Sequence, residues 1–136
     1  MIQSFYWRTL LKVKKTAPAI ETACLTSQTG SPDNIQAHNQ PSPWLGGLDL
    51  RQFGGSVPQL VKGAGCGTWL ANFSDSSEAL VKEAHELHLK VVPWTINSRA
   101  QLTKAIHMEV DGVNTDYPDR AREVMVTMGV PLSGSR

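Results

Sequence analysis

The sequence predicts an α/β fold of tandem parallel βα units, on three observations. The stretch from Lys90 to Pro118 reads as strand, turn, helix, turn, strand. Apolar strand-like runs near Thr68, Lys90 and Gly112 recur at a spacing of about 22 residues, as βα units do. Two strands separated by one short helix cannot pair antiparallel through a tight turn, so the crossover is parallel. Such units build either an open doubly wound sheet or a closed barrel. No Gly-rich phosphate fingerprint follows any strand, which favours the barrel.

Taken in order, Met1 to Phe5 predicts the end of a strand. Trp7, Leu10, Leu11 and Lys14 follow at helical spacing, with Pro18 beyond the helix end. Thr22 to Thr26 is the next strand. Residues 28–55 are rich in Gly, Ser, Pro, Asn and Gln without a sustained period, and read as an irregular insertion loop. Trp44 and Leu45 are its expected anchors. Ser56 and Gln59 predict a capping box, Val57, Leu60, Val61 and Ala64 a buried stripe, and Gly65 a left-handed stop. Thr68 to Asn72 is a strand. Asp75 is expected to cap the following helix, whose inner face carries Leu80, Val81, Ala84 and Leu87. Val91, Val92, Trp94, Thr95 and Ile96 form the central buried strand, which Asn97 ends. Ser98 and Gln101 complete a capping box for the helix bearing Leu102, Ala105 and Ile106. After Asp111-Gly112, Val113 to Tyr117 predicts a further buried strand. Pro118 suits a first helical position, and Ala121, Val124, Met125 and Met128 form the last stripe. Gly129 ends that helix, and residues 131–136 read as a frayed tail.

At 136 residues the chain is one domain's worth, or a piece of a larger one. A formal charge of +1, from 13 basic and 12 acidic residues, gives no basic footprint for nucleic acid and no polybasic membrane patch. No apolar run approaches the roughly 20 residues that span a bilayer. Polar and aromatic residues occupy the place of a secretory apolar core, so no signal peptide is expected. As it stands the chain reads as cytoplasmic, with a periplasmic or secreted parent left open. Cys24 lies in a strand and Cys66 in a glycine-rich turn, so two separate thiols are expected.

In α/β folds function gathers at the C-terminal ends of the strands. Ser4, Phe5, Thr26 to Gln28, Asn72, Phe73, Trp94 to Asn97 and Thr115 to Tyr117 would stand there. The set is polar and aromatic with one carboxylate, and could line a pocket for a polar organic substrate. It holds no paired carboxylates, no Ser-His-Asp order and no metal-ligand spacing. His38 reads as a solvated loop histidine. His85 and His88 lie one helical turn apart, as a metal pair could, but on an outer helix away from the barrel mouth. Asp116 could serve a cation or, as the commoner role, cap the helix at Pro118. Trp94 could stack on substrate or simply fill the core.

IQSFYWRTLLKVKKTAP, TACLT, VPQLVKGAGCGTW, EAHELHLKVVPWTIN and DGVNTDYPDRAREV, in that order, resemble the C-terminal portion of glycerophosphodiester phosphodiesterases. VVPWTIN and DGVNTDYPD are the most specific pieces. The resemblance implies an incomplete TIM (β/α)8 barrel, roughly strands four to eight, with residues 1–130 as the C-terminal part of the domain. It implies metal-dependent hydrolysis of glycerophosphodiesters to glycerol 3-phosphate and an alcohol, with a divalent cation such as Ca²⁺ or Mg²⁺. That family's chemistry rests on His-Arg-Gly, Glu-x-Asp, a second catalytic His and Glu-x-Lys; neither His-Arg-Gly nor Glu-x-Lys occurs here, and the family's catalytic set is read as absent. The ligands of the cation are therefore expected to be absent, and Met1 is expected to fall inside the fourth strand. Ser4 and Phe5 match the fourth-strand end and Trp94 the tryptophan of the seventh, as walls near the glycerol or alcohol moiety. Asn97, Thr115 and Asp116 match mouth positions. Leu70-Ala71 stands where the family often has Ser-Pro, and Asn114 replaces a usual apolar residue.

The sequence thus supports two main readings. One is a portion of a phosphodiesterase barrel that closes the cylinder and shapes the pocket. The other is a catalytically inert fragment or scaffold, whose open barrel edges would favour self-association. An open-sheet binding domain of another family is the third, and predicts a compact monomer.

Overall fold

Four parallel strands, β1 (Ile2–Ser4), β2 (Thr22–Thr26), β3 (Thr68–Ala71) and β4 (Lys90–Val91), form one sheet in the order 1-2-3-4. Around it run α1 (Trp7–Thr16), α2 (Val57–Gly63), α3 (Glu78–Glu86), α4 (Arg99–His107) and α5 (Pro118–Thr127). The computed structural model describes residues 1–132, so most of the expected frayed tail lies outside the described residues. The strand order never reverses, whereas a doubly wound sheet reverses at its switch point.

Side chains alternate across the sheet with period two, and the registers fix which face each takes. Ser4 pairs with Cys24, Cys24 with Trp69 and Trp69 with Val91. Cys24, Trp69, Ala71 and Val91 pack into the main core with Trp7, Leu10, Leu60, Val61, Val81 and Ala84 from the helices. The alternate residues, Leu25, Leu70 and Val92, must therefore face away from the helices. Two buried indoles in this core are satisfied. Trp7 Nε1 donates to Leu25 O at 3.1 Å, and Trp69 Nε1 to Thr26 Oγ1 at 2.8 Å. Ile96, Leu102, Ala105, Ala121 and Val124 make a second, smaller cluster between α4 and α5.

The helices start and stop as their sequences direct. Ser56, Ser77 and Ser98 each accept from the backbone N–H three residues on, and Ser98 with Gln101 forms the full capping box. Pro118 opens α5, where no helical partner for its nitrogen is needed. At their other ends α3, α4 and α5 close alike. His88, Glu109 and Gly129 adopt positive φ, and Leu89, Val110 and Val130 donate back to Ala84, Ala105 and Met125. This is the paired closure of a Schellman motif, with an apolar residue just past each end. Gly65 takes the left-handed position after α2.

Several expectations are corrected. The central strand is shorter than Val91–Ile96: regular pairing stops at Val91, and only an isolated bridge joins Asn72 to Trp94. Val92 N and Trp94 N still donate to Trp69 O and Ala71 O of β3, whereas Pro93 has no N–H to offer the segment 113–117 on its other side. Val113–Tyr117 is not a strand, so among the described residues four strands form where five were expected. Two hydrogen bonds keep that segment beside its neighbour, Asn114 N to Pro93 O at 3.0 Å and Ile96 N to Asn114 O at 2.9 Å. Among the described residues no strand pairs with its far edge. Ser77, not Asp75, caps α3. Cys24 and Cys66 are joined in a disulfide, not separate thiols. Their 42-residue separation hides the fact that β2 and β3 are neighbours, which brings the turn before β3 alongside β2, with the two Cα atoms 5.9 Å apart.

The stretch 28–55 contains two 3₁₀ turns, Pro43–Leu45 and Leu50–Phe53. Leu45 is fully buried and the half-buried Trp44 ring lies edge-on to Tyr6, so both expected anchors reach the body. At Gly46 the loop passes so close to α1 that a Cβ would lie 2.7 Å from Leu11 Cδ1.

Candidate functional site

Register places Phe5 level with Leu25, and Trp94 level with Asn72, on the sheet face turned away from the helices. The two aromatics leave the ends of the outermost strands, about 14 Å apart were the sheet flat. Yet their rings meet edge-to-face with centroids 5.6 Å apart. They form a half-buried aromatic wall at the C-terminal end of the sheet. Trp94 is pinned through its Nε1, which donates to Leu70 O at 2.9 Å, and its backbone N–H, which donates to Ala71 O at 2.9 Å. Its indole hydrogen is spent, so the ring offers a visitor an apolar surface and no donor.

Asn97, Thr115 and Asp116 come together in a second group, a clasp between the loops entering α4 and α5. Asn97 Nδ2 donates to Asp116 Oδ2 at 2.9 Å, while Asn97 Oδ1 accepts from Asp116 N at 2.9 Å and Thr115 Oγ1 at 3.2 Å. Arg120 Nη1 donates to Asn97 O at 2.6 Å, and its guanidinium lies 4.4 Å from the Tyr117 ring centre. Asp116 therefore does not cap α5; Tyr117 holds that position without a side-chain hydrogen bond. Ser4 turns inward on its own turn, accepting from Tyr6 N at 3.0 Å and donating to Tyr6 O at 3.2 Å. It joins neither group.

His85 and His88 stay apart from this end. His38 is exposed in the loop. His85 Nε2 sits 2.8 Å from Asp111 Oδ2, which also accepts from Val91 N at 2.7 Å. His88 lies beyond the end of α3. Among the described residues no group of three His, Cys, Asp or Glu side chains could hold a metal ion. The carboxylates near the mouth are already engaged: Asp116 by Asn97, and Asp75 by Gln28 N at 2.7 Å and Thr29 Oγ1 at 2.8 Å. The residues present do not fit a divalent cation. One shifted acid lies in the long loop, where the Arg51 side-chain hydrogen bond holds the Asp49 carboxyl below the usual range.

Asn34 and Asp75 organise the mouth, and sequence reasoning missed both roles. Asn34 is fully buried; its Nδ2 donates to Phe5 O at 3.1 Å and Leu25 O at 2.9 Å, and its Oδ1 accepts from Ser27 N at 2.8 Å. One side chain thus ties the loop to the ends of β1 and β2. Asp75 ties the start of the same loop to the end of β3. The loop's polarity hid these roles, since nothing in a run of Asn, Ser and Gly marks which amide is buried.

The model of the glycerophosphoryl diester phosphodiesterase family matches residues 1–120. A glycerophosphodiester phosphodiesterase of Bacillus altitudinis is 28% identical over 128 residues, covering 94% of this chain and 43% of that protein. A solved structure from Silicibacter pomeroyi DSS-3, described as a glycerophosphoryl diester phosphodiesterase, superposes with a TM-score of 0.76 at 30% identity. It covers 96% of this chain and 39% of that one. A phosphodiesterase of Oleispira antarctica, solved with the product sn-glycerol-3-phosphate, shares the fold at 18% identity with a TM-score of 0.64, over 91% of this chain and 40% of its own. The chain thus spans about two-fifths of the length of these relatives.

Proposed function

The chain belongs to the glycerophosphoryl diester phosphodiesterase family, and on that premise we propose that residues 1–130 form the C-terminal part of a barrel that hydrolyses glycerophosphodiesters to glycerol 3-phosphate and an alcohol. In this reading β1 to β4 and the extended segment after Gly112 correspond to strands four to eight. The rest of the cylinder supplies the residues that attack and protonate the phosphodiester.

The observation that carries the reading is the Phe5–Trp94 pair at the C-terminal end of an unreversed parallel sheet. Substrates of βα barrels bind at that end. A ring fixed by its own N–H can only exclude water and pack against C–H groups, which suits the glycerol backbone or the alcohol rather than the phosphate. The Asn97–Thr115–Asp116 clasp fixes the two loops beside it and positions that wall. In the family a divalent cation stabilises charge on the phosphoryl oxygens. The described residues do not fit that ion, whose ligands in this reading belong to the rest of the cylinder.

The purified chain, mixed with glycerophosphocholine and Ca²⁺ or Mg²⁺, is expected to release no glycerol 3-phosphate alone. Turnover abolished by a chelator would overturn the division of labour proposed. Titration with sn-glycerol 3-phosphate, followed by nuclear magnetic resonance, is expected to move the ring signals of Phe5 and Trp94 before others. An unmoved Trp94 would remove the wall from the pocket.

A further inference from the structure

The opposite end of the sheet carries a concentration of charge that the phosphodiesterase reading does not use. A cavity of about 470 Å³ lies where the loops entering β2, β3 and β4 converge. Lys14, Lys62, Lys90 and His88 line it, with Glu21 as the one carboxylate among the described residues of its wall. The whole chain is nearly balanced, with 13 basic and 12 acidic residues, so this excess is local. A concave surface lined by one sign of charge focuses its field and concentrates counter-ions.

The wall is built to hold these groups. Lys14 lies across the turn after α2, its Nζ donating to Gly65 O at 2.6 Å. Gly65 takes a left-handed φ of 79° that favours glycine, and a Cβ there would stand 2.9 Å from Lys14 Cε, which would have to shift. The next residue, Cys66, is tied to Cys24 of β2, which fixes that turn against the sheet. On the facing loop, His88 spends a left-handed conformation (φ 61°) that glycine would adopt more cheaply, and brings itself and Lys90 to the rim.

We propose that this cavity binds a phosphate-bearing anion. Three ammonium groups against one carboxylate match a ligand of two or more negative charges better than a single carboxylate. Lysine serves phosphate as a point charge, and the volume fits a small phosphorylated molecule. The phosphate could come from a free metabolite or from an anionic phospholipid headgroup, and the chemistry is the same.

The test titrates the ¹⁵N-labelled full chain with inorganic pyrophosphate at constant ionic strength. Saturable shifts are expected at the amides of Gly65, Cys66 and Gly67. The double variant Lys62→Gln/Lys90→Gln removes two charge-assisted contacts and is expected to weaken binding about tenfold or more. Lys82→Gln, an exposed charge outside the cavity, is expected to change nothing. Both cavity lysines are exposed, and circular dichroism verifies that the double variant keeps its fold. A second arm sediments the chain with phosphatidylglycerol or phosphatidylcholine vesicles. Saturable pyrophosphate binding lost in the double variant upholds the site with a free phosphate as its source. Sedimentation with phosphatidylglycerol alone, lost in the same variant, upholds it with a headgroup. Non-saturating shifts without selective sedimentation, or binding equal in the double variant and the parent, would overturn it.

Discussion

Asn34 carries a heavy burden for one buried side chain: it serves three backbone groups at the ends of β1 and β2, and of these Leu25 O is also served by Trp7 Nε1. Buried groups left without partners cost their full desolvation. Asn34→Ala is therefore expected to lose roughly 2–3 kcal/mol of stability, measured as a lower urea midpoint at unchanged slope. An effect below a few tenths would mean that the loop is not anchored through this amide. Phe5 and Trp94 show the opposite balance of legibility. Their pairing could not be read from positions 5 and 94, but each could be placed at a strand end from its own local pattern. The pocket set named from sequence divides accordingly. Phe5 and Trp94 meet, Asn97, Thr115 and Asp116 clasp, and Ser4 serves its own turn.

The helix ends were legible because capping is local: a serine side chain reaches only three residues forward, so sequence spacing specifies the contact. The exceptions are equally local in origin. Asp75 and Ser77 stand two residues apart, and either could cap α3. The choice went to Ser77 because the loop from residue 28 claims the carboxylate of Asp75. The strands were less legible. Pro93 has no N–H to offer on the side facing Val113–Tyr117, so that segment meets its neighbour through Asn114 and builds no regular ladder. The repeated left-handed closures offer a test. Glu109 occupies such a position (φ 59°) where glycine is the commoner choice. Glu109→Gly relieves the backbone cost but gives the unfolded chain more freedom, so a net gain of about 0.5 kcal/mol is expected by urea denaturation. A clear loss would show that the Glu109 side chain supports α4 in some further way.

At the scale of the whole molecule, the disulfide is the strongest constraint that sequence reasoning passed over. It closes a loop spanning a 42-residue separation that includes the whole irregular stretch 28–55. In the chain-entropy account such a closure is worth about 4 kcal/mol. Reduction with dithiothreitol, or the double variant Cys24→Ser/Cys66→Ser, is expected to lower stability by about that amount. The melting temperature should fall well below that of the oxidised chain. Equal melting curves would show that β2 and the turn before β3 are held by packing alone. The same scale governs the two ends of the sheet: the C-terminal end gathers aromatic and amide groups, and the N-terminal end gathers lysines.

By itself the sequence determined the βα alternation, most helix caps and core stripes, and the family, since each is written in short-range spacing or in contiguous motifs. Only the tertiary structure decided that Cys24 meets Cys66, that Phe5 reaches Trp94 across the sheet, that Asn34 is buried, and that lysines from α1, α2 and β4 share one cavity. Those contacts join residues tens of positions apart. They depend on how strands curve and loops return, and no local pattern of side chains encodes that distance.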